Sequence, residues 1–295
     1  MSGAEEQGMS DDKLPLTQHL TELRKRILVS LVFILGVFLV TFSYSEDLFR
    51  FVMFPMKYRL DFALPLKLNI DLAQKVFGLV PQDSYVRFIP QEKLQGLKLV
   101  FLAPTEAFWM SMKVSFVAAF ILSVPMLFFQ LWKFISPGLH HHEKKYVVPF
   151  VCVASLLFLC GASFCFLLVL PFALEFLLTY NVGDFLTPML SVGQFVDFAL
   201  KFILAFGVVF ELPIVMIFLV KLGVVTPETL AKNRRFAVVI SFIVAAFLTP
   251  TPDMFNQTLM AVPMILLYEF GIWIVPFFKR KPADGGTQEL QVHSN

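Results

Sequence analysis

The chain has 295 residues, 57% of them hydrophobic and 16% charged, with 36 Phe and a formal net charge of +2. A water-soluble domain of this length does not carry that balance, so a soluble enzyme and a nucleic-acid-binding protein are set aside and a polytopic membrane protein is expected. In such a chain the positions of Lys and Arg, rather than their sum, carry information about orientation.

In chain order, residues 1–13 are polar and without aromatics and read as a disordered tail. Leu16, Leu20, Leu23 and Ile27 follow spacings of 4, 3 and 4, which predicts an amphipathic helix over 15–27 with Pro15 at its start, lying along the membrane and running into a first span. Within it, HLTELRKR sets Glu22 three residues from His19 and four from Arg26. An exposed ion pair at that spacing is worth only about 0.3–0.5 kcal/mol. The alternative reading is a carboxylate that meets a cation from outside the chain, and spacing leaves both open.

Six apolar runs follow, at 27–44, 107–132, 147–171, 194–220, 236–248 and 254–277. The fifth, FAVVISFIVAAFL, reaches only about 20 Å as a helix, short of a hydrocarbon core of roughly 30 Å. Charge argues that it crosses nevertheless. Lys13 with Arg24 to Arg26, then Lys133, Lys144 and Lys145, then Lys221, Lys232, Arg234 and Arg235, and finally Lys279 to Lys281 mark one side, while 172–193 and 249–253 have no Lys or Arg. The alternation closes as six spans with both termini in the cytoplasm. A short fifth helix would thin the bilayer or recruit Arg234, Arg235 and Asp253 to snorkel. The loop 45–106 is long enough to escape the charge rule and is placed outside, its apolar patches broken by Pro55, Pro65, Pro81 and Pro90 into a cap of short interfacial helices. Residues 14–281 thus read as one membrane domain, and 282–295 as a second disordered tail.

Hydrolase, zincin and nucleotide-loop motifs are missing, which points away from an enzyme. His140 to His142 are consecutive and cannot readily converge on one ion, so no metal and no cofactor are expected. Cys152, Cys160 and Cys165 share one apolar segment and read as small fillers. The acids are more informative. Glu143, in FISPGLHHHEKK, falls on the same side of the membrane as Glu22, again among cations. Two such carboxylates form a plausible receptor for a pair of guanidinium groups, whose planar fork matches a carboxylate better than an ammonium does. Glu211, in FGVVFELPI, lies deep in the fourth span two residues before Pro213, where a charge is costly and a functional reading is the default. Either Gln257 and Glu269 of the sixth span partner it, or it accepts a polar residue from another protein.

HLTELRKR, APTEAFWMSMKVSF, QLWKFISPGL with HEKKYVVPF, FGVVFELPI, and LTPTPDMFNQTLMAVPM with YEFG occur in this order over residues 15–278. As a set they resemble the TatC family, a subunit of the twin-arginine protein translocase. The resemblance implies an all-α, six-span, glove-shaped concave bundle with short fifth and sixth helices, in the inner membrane of a prokaryote. It implies a receptor for twin-arginine signal peptides of folded cargo that organises TatA/TatB-type single-span subunits and copies of itself, with export driven by the proton-motive force. It further implies a signal-peptide site of Glu22, Arg24, Phe134, Pro137, Leu139 and Glu143, partner docking near Glu211, Gln257 and Glu269, and a structural role for Asp253 with Gln257 in the short last hairpin. A proton-coupled small-solute transporter with Glu211 as carrier and a purely structural scaffold are the competing readings.

Overall fold

In a computed structural model, the protein is described at residues 16–61, 87–90, 99–135, 147–179, 190–249 and 253–278. Both predicted tails and the loop carrying Pro137, Leu139, His140 to His142 and Glu143 lie outside these residues. The described chain is helical, with α1 Leu16–Ser43, α2 Ser45–Val52, α3 Phe54–Lys57, α4 Glu106–Ile135 and α5 Val147–Phe164. A wider π turn, Cys165–Val169, leads into α6 Leu170–Thr179. Then come α7 Val192–Val209, α8 Leu212–Lys221, α9 Pro227–Lys232, α10 Arg234–Leu248, α11 Met254–Ile274 and a closing 3-10 turn, Val275–Phe278.

Among the described residues, five helical segments are long and apolar enough to cross a membrane: Leu20–Ser43, Glu106–Phe134, Val147–Leu178, Val192–Lys221 and Met254–Phe277. Lipid offers no partner to a backbone amide, so runs of this kind satisfy their own polar groups by forming helices. The fifth predicted span is α10, whose 15 residues reach about 22 Å. The sixth is not short, contrary to expectation. α11 has 21 residues and its apolar segment 24, about 36 Å. Its polar residues sit near the two ends and shorten only the uninterrupted apolar stretch, and the backbone stays helical through them.

Residues 16–43 form one unbroken helix, so the amphipathic start is the first turns of the span itself rather than a separate helix lying flat. The expected cap of short helices is only partly helical. α2 and α3 lead into β1 Tyr58–Asp61, which pairs antiparallel with β2 Arg87–Pro90 in the register Tyr58 to Pro90. A second, two-residue pairing is parallel, between β3 Leu99–Val100 and β4 Leu190–Ser191.

The chain divides into two compact units, one with the described residues up to Phe51 and those of Ala103–Leu156, the other with those of Val52–Leu102 and from Leu157 onward. In the first, α1 packs along α4. Ile34 and Thr41 are the buried points of α1, and the Thr41 hydroxyl donates to the Ser115 carbonyl at 2.9 Å. In the second, α7 is the central helix, burying Phe195, Phe202 and Phe206. Ser191 caps α7 by accepting from the Gln194 amide. Pro213 denies the Val209 carbonyl its helical donor, and the helix breaks at Phe210 and Glu211 between α7 and α8.

Candidate functional site

The first candidate site lies along the α1–α4 seam. Leu23, Arg26, Ile27, Ser30 and Ile34 of α1 face Leu127, Gln130, Leu131 and Phe134 of α4 across an open groove of about 340 Å³. Successive turns of α1 put residues 23, 26, 27, 30 and 34 on one face, so the seam is a direct product of helical spacing. Arg26 is the one charged lining residue. One of its terminal nitrogens donates to Glu22 Oε1 at 2.8 Å, and the other reaches Gln130 Oε1 at 3.5 Å. Its Nε is buried without a hydrogen-bond partner among the described residues.

Glu22 therefore holds a guanidinium, supplied by its own helix one turn away. Both members keep part of their surface, 27% of the Glu22 side chain and 24% of Arg26. A carboxylate can accept about four hydrogen bonds, so the one contact leaves acceptor capacity on Glu22. Phe134 joins the same groove wall, whereas Arg24 is exposed and lines no part of it. Gln130 was not singled out from sequence. Its signal is a buried amide within the apolar run of α4, and the reach to Arg26 across 104 residues is invisible to local spacing.

The second candidate site is the α7–α8 break. Glu211 is buried, and the backbone of Phe158 is the polar group that acts on its carboxyl. Neither carboxylate oxygen reaches hydrogen-bond geometry with any described residue. The two side chains expected as its partners are engaged elsewhere. Gln257 donates to the Phe242 carbonyl at 3.0 Å, and Glu269 pairs with Arg234 at 3.5 Å. Of the two alternatives left open by the sequence, the internal network finds no contact among the described residues, where Gln257 and Glu269 each serve the α10–α11 hairpin.

That hairpin is tied at both ends. Asp253, expected to snorkel, instead caps α11, accepting from the Asn256 amide at 2.7 Å and its side-chain nitrogen at 2.9 Å. At the opposite end the Tyr268 hydroxyl donates to the Leu230 carbonyl of α9 at 2.9 Å. Asn256 and Tyr268 were also missed from sequence, although a polar side chain in each end turn of an apolar helix is a readable signal. Among the described residues no cluster of His, Cys, Asp or Glu can hold a metal ion. Cys152 and Cys160 are exposed and Cys165 is buried, so only the last fills a core as expected.

The family model described as TatC, Sec-independent protein translocase protein, matches residues 18–263. The chain belongs to the TatC family. TatC relatives of similar length agree over nearly all of it. That of Carboxydothermus hydrogenoformans is 36% identical over 277 residues, covering 94% of this chain and 99% of its own. That of Campylobacter jejuni is 36% identical over 275 residues, covering 93% and 98%. A crystal structure titled as the twin-arginine translocase receptor TatC is 34% identical, with a TM-score of 0.67, covering 89% of this chain and all of that one. This member of the TatC family is accordingly a multi-pass membrane component of the Sec-independent protein translocase.

Proposed function

We propose that this TatC is the receptor and core subunit of its translocase, binding the consecutive arginines of a signal peptide where the cytoplasmic end of α1 meets α4. Glu22 and Glu143 would take the two guanidinium groups, with Arg24, Phe134, Pro137 and Leu139 shaping the surroundings. The observation that carries the reading is the Glu22–Arg26 contact at the edge of an open groove, a carboxylate already in guanidinium geometry with acceptor capacity to spare. The reading includes six spans in the glove-like arrangement the family implies, with α10 as the short fifth and both termini cytoplasmic. Its setting is the inner membrane of a prokaryote, where TatA/TatB-type single-span subunits, further copies of the chain and the proton-motive force complete the machine. Glu211, with neither oxygen in hydrogen-bond geometry among the described residues, would accept a polar side chain from a partner helix near Gln257 and Glu269.

The test is equilibrium binding of a twin-arginine peptide to the purified protein and to Glu22→Gln and Glu143→Gln. A charge-assisted contact worth about 1.5–3 kcal/mol per guanidinium predicts a loss of roughly tenfold or more in each variant. A twin-lysine peptide should bind the parent poorly. Equal affinity in both variants and the parent would sink the site.

A further inference from the structure

The α7–α8 segment carries a charged group that neither candidate site uses. Val192–Lys221 spans 30 residues, about 45 Å of helix against a hydrocarbon core of roughly 30 Å. Lys201 lies inside it and is exposed. It has no ion pair or hydrogen bond among the described residues, whereas Asp197, one turn away, has an interaction of its own. An unpaired ammonium on the surface of a membrane helix is costly and calls for an external partner.

Spacing fixes the depth. Lys201 and Lys221 are 20 residues apart on two helices whose interruption at Phe210 and Glu211 keeps right-handed helical backbone angles, so at the helical rise they stand about 30 Å apart, one hydrocarbon thickness. With Lys221 exposed at one boundary, Lys201 falls at the other. The exposed stripe agrees. Gln194 and Lys201 share it one heptad apart, and its continuation at Val208 and Val215 is apolar. Glu211, the one acid between the two lysines, is buried. The exposed face is therefore lipid-like from Lys221 up to Lys201 and polar beyond it.

We propose that Lys201 binds the phosphate of a phospholipid headgroup in the leaflet opposite Lys221, anchoring α7 at that depth. The ligand chemistry is that of an anionic phosphodiester. A Lys ammonium is a compact point charge with three donors, and its four-carbon stem lies along apolar surface while the head reaches the interface. A partner helix with an acidic residue is the less fitting occupant, since the stripe offers it no second polar contact between Lys201 and Lys221.

The full-length protein, purified in detergent, is titrated with palmitoyl-oleoyl phosphatidylglycerol and the bound lipids are counted by native mass spectrometry. Lys201→Leu is expected to weaken the tightest-bound lipid roughly tenfold, the scale of one charge-assisted contact. Lys201→Arg should stay close to the parent. Equal lipid retention in parent and Lys201→Leu overturns the proposal, and so does displacement of the lipid by excess inorganic phosphate, which would mark a free-anion site. Unchanged lipid binding together with loss of a co-purifying single-span subunit would overturn it in favour of an acidic helix. Independently, a nitroxide on Lys201→Cys, in a background with Cys152, Cys160 and Cys165 replaced by Ala, should report headgroup depth in phosphatidylglycerol vesicles, and a label at the bilayer centre would refute the placement.

Discussion

The α1–α4 seam and the α5–α7 seam are built from comparably apolar helices, yet they pack in opposite ways. Of the most apolar window of α1 only 11% is buried, against 44% for α7–α8. The first seam is long, α1 running along α4 with Ile34 and Thr41 buried against it, and it leaves the Arg26 groove open beside it. The second closes on glycine. At Gly161 the Phe206 carbonyl oxygen stands 2.5 Å from where a Cβ would be, and at Gly207 the Phe158 ring stands 2.6 Å away. Apolar burial gives helices in lipid little drive to associate, so close approach through small residues supplies the contact. Hydropathy marks both seams as membrane-embedded, and only the small residues tell where two backbones come closest.

The largest effect expected from breaking this contrast is at Gly161. Its Cβ would meet backbone oxygen, which cannot rotate away, so Gly161→Ala carries an overpacking cost of about 1–3 kcal/mol, offset by roughly 1 kcal/mol of helix propensity. Gly271 faces the flexible Met216 thioether instead, and Gly271→Ala should be near neutral. Unfolding in mixed micelles compares the two. Equal stability in both variants would show that the α5–α7 seam is no tighter than its surroundings.

Glu211 sharpens the same contrast from within the tight region. Removing a buried polar group that makes no hydrogen bond among the described residues should recover about 1–3 kcal/mol, so Glu211→Leu is expected to raise the unfolding midpoint. The proposed docking role requires the reverse in function, with export falling while protein accumulates normally. A variant both destabilised and inactive would instead mean that Glu211 has a partner holding the fold together.

The spans were legible because an apolar run of about 20 residues in lipid has no alternative to helix. The β1–β2 pairing was not, since its strands are separated by more than twenty intervening residues and no local turn signal links them. The π turn at Cys165–Val169 left no trace in composition either. At the candidate site, Glu22–Arg26 could be read from i,i+4 spacing, whereas the Gln130 contact required knowing that α1 and α4 are neighbours. The contacts of Gln257 and Glu269 with α10 were out of reach of local spacing for the same reason. Polar side chains in a sixth span look available to any acid at similar depth, until α10 is seen to claim both.

The smallest effect separates two meanings of the open seam. If Arg26 merely neutralises Glu22, removing it should leave peptide binding as it was. If it occupies the acceptor that a visiting guanidinium needs, Arg26→Gln should strengthen twin-arginine peptide binding by about twofold, the size of a partly exposed i,i+4 pair. Gln keeps a donor able to reach the groove, so the wall should persist and the change should be confined to charge. Calorimetric titration at low and high salt resolves the two, because competition between cations for one carboxylate fades as screening rises. Weaker binding by Arg26→Gln at low salt would mean that Arg26 holds Glu22 in position rather than competing for it, and the groove would then depend on its own ion pair.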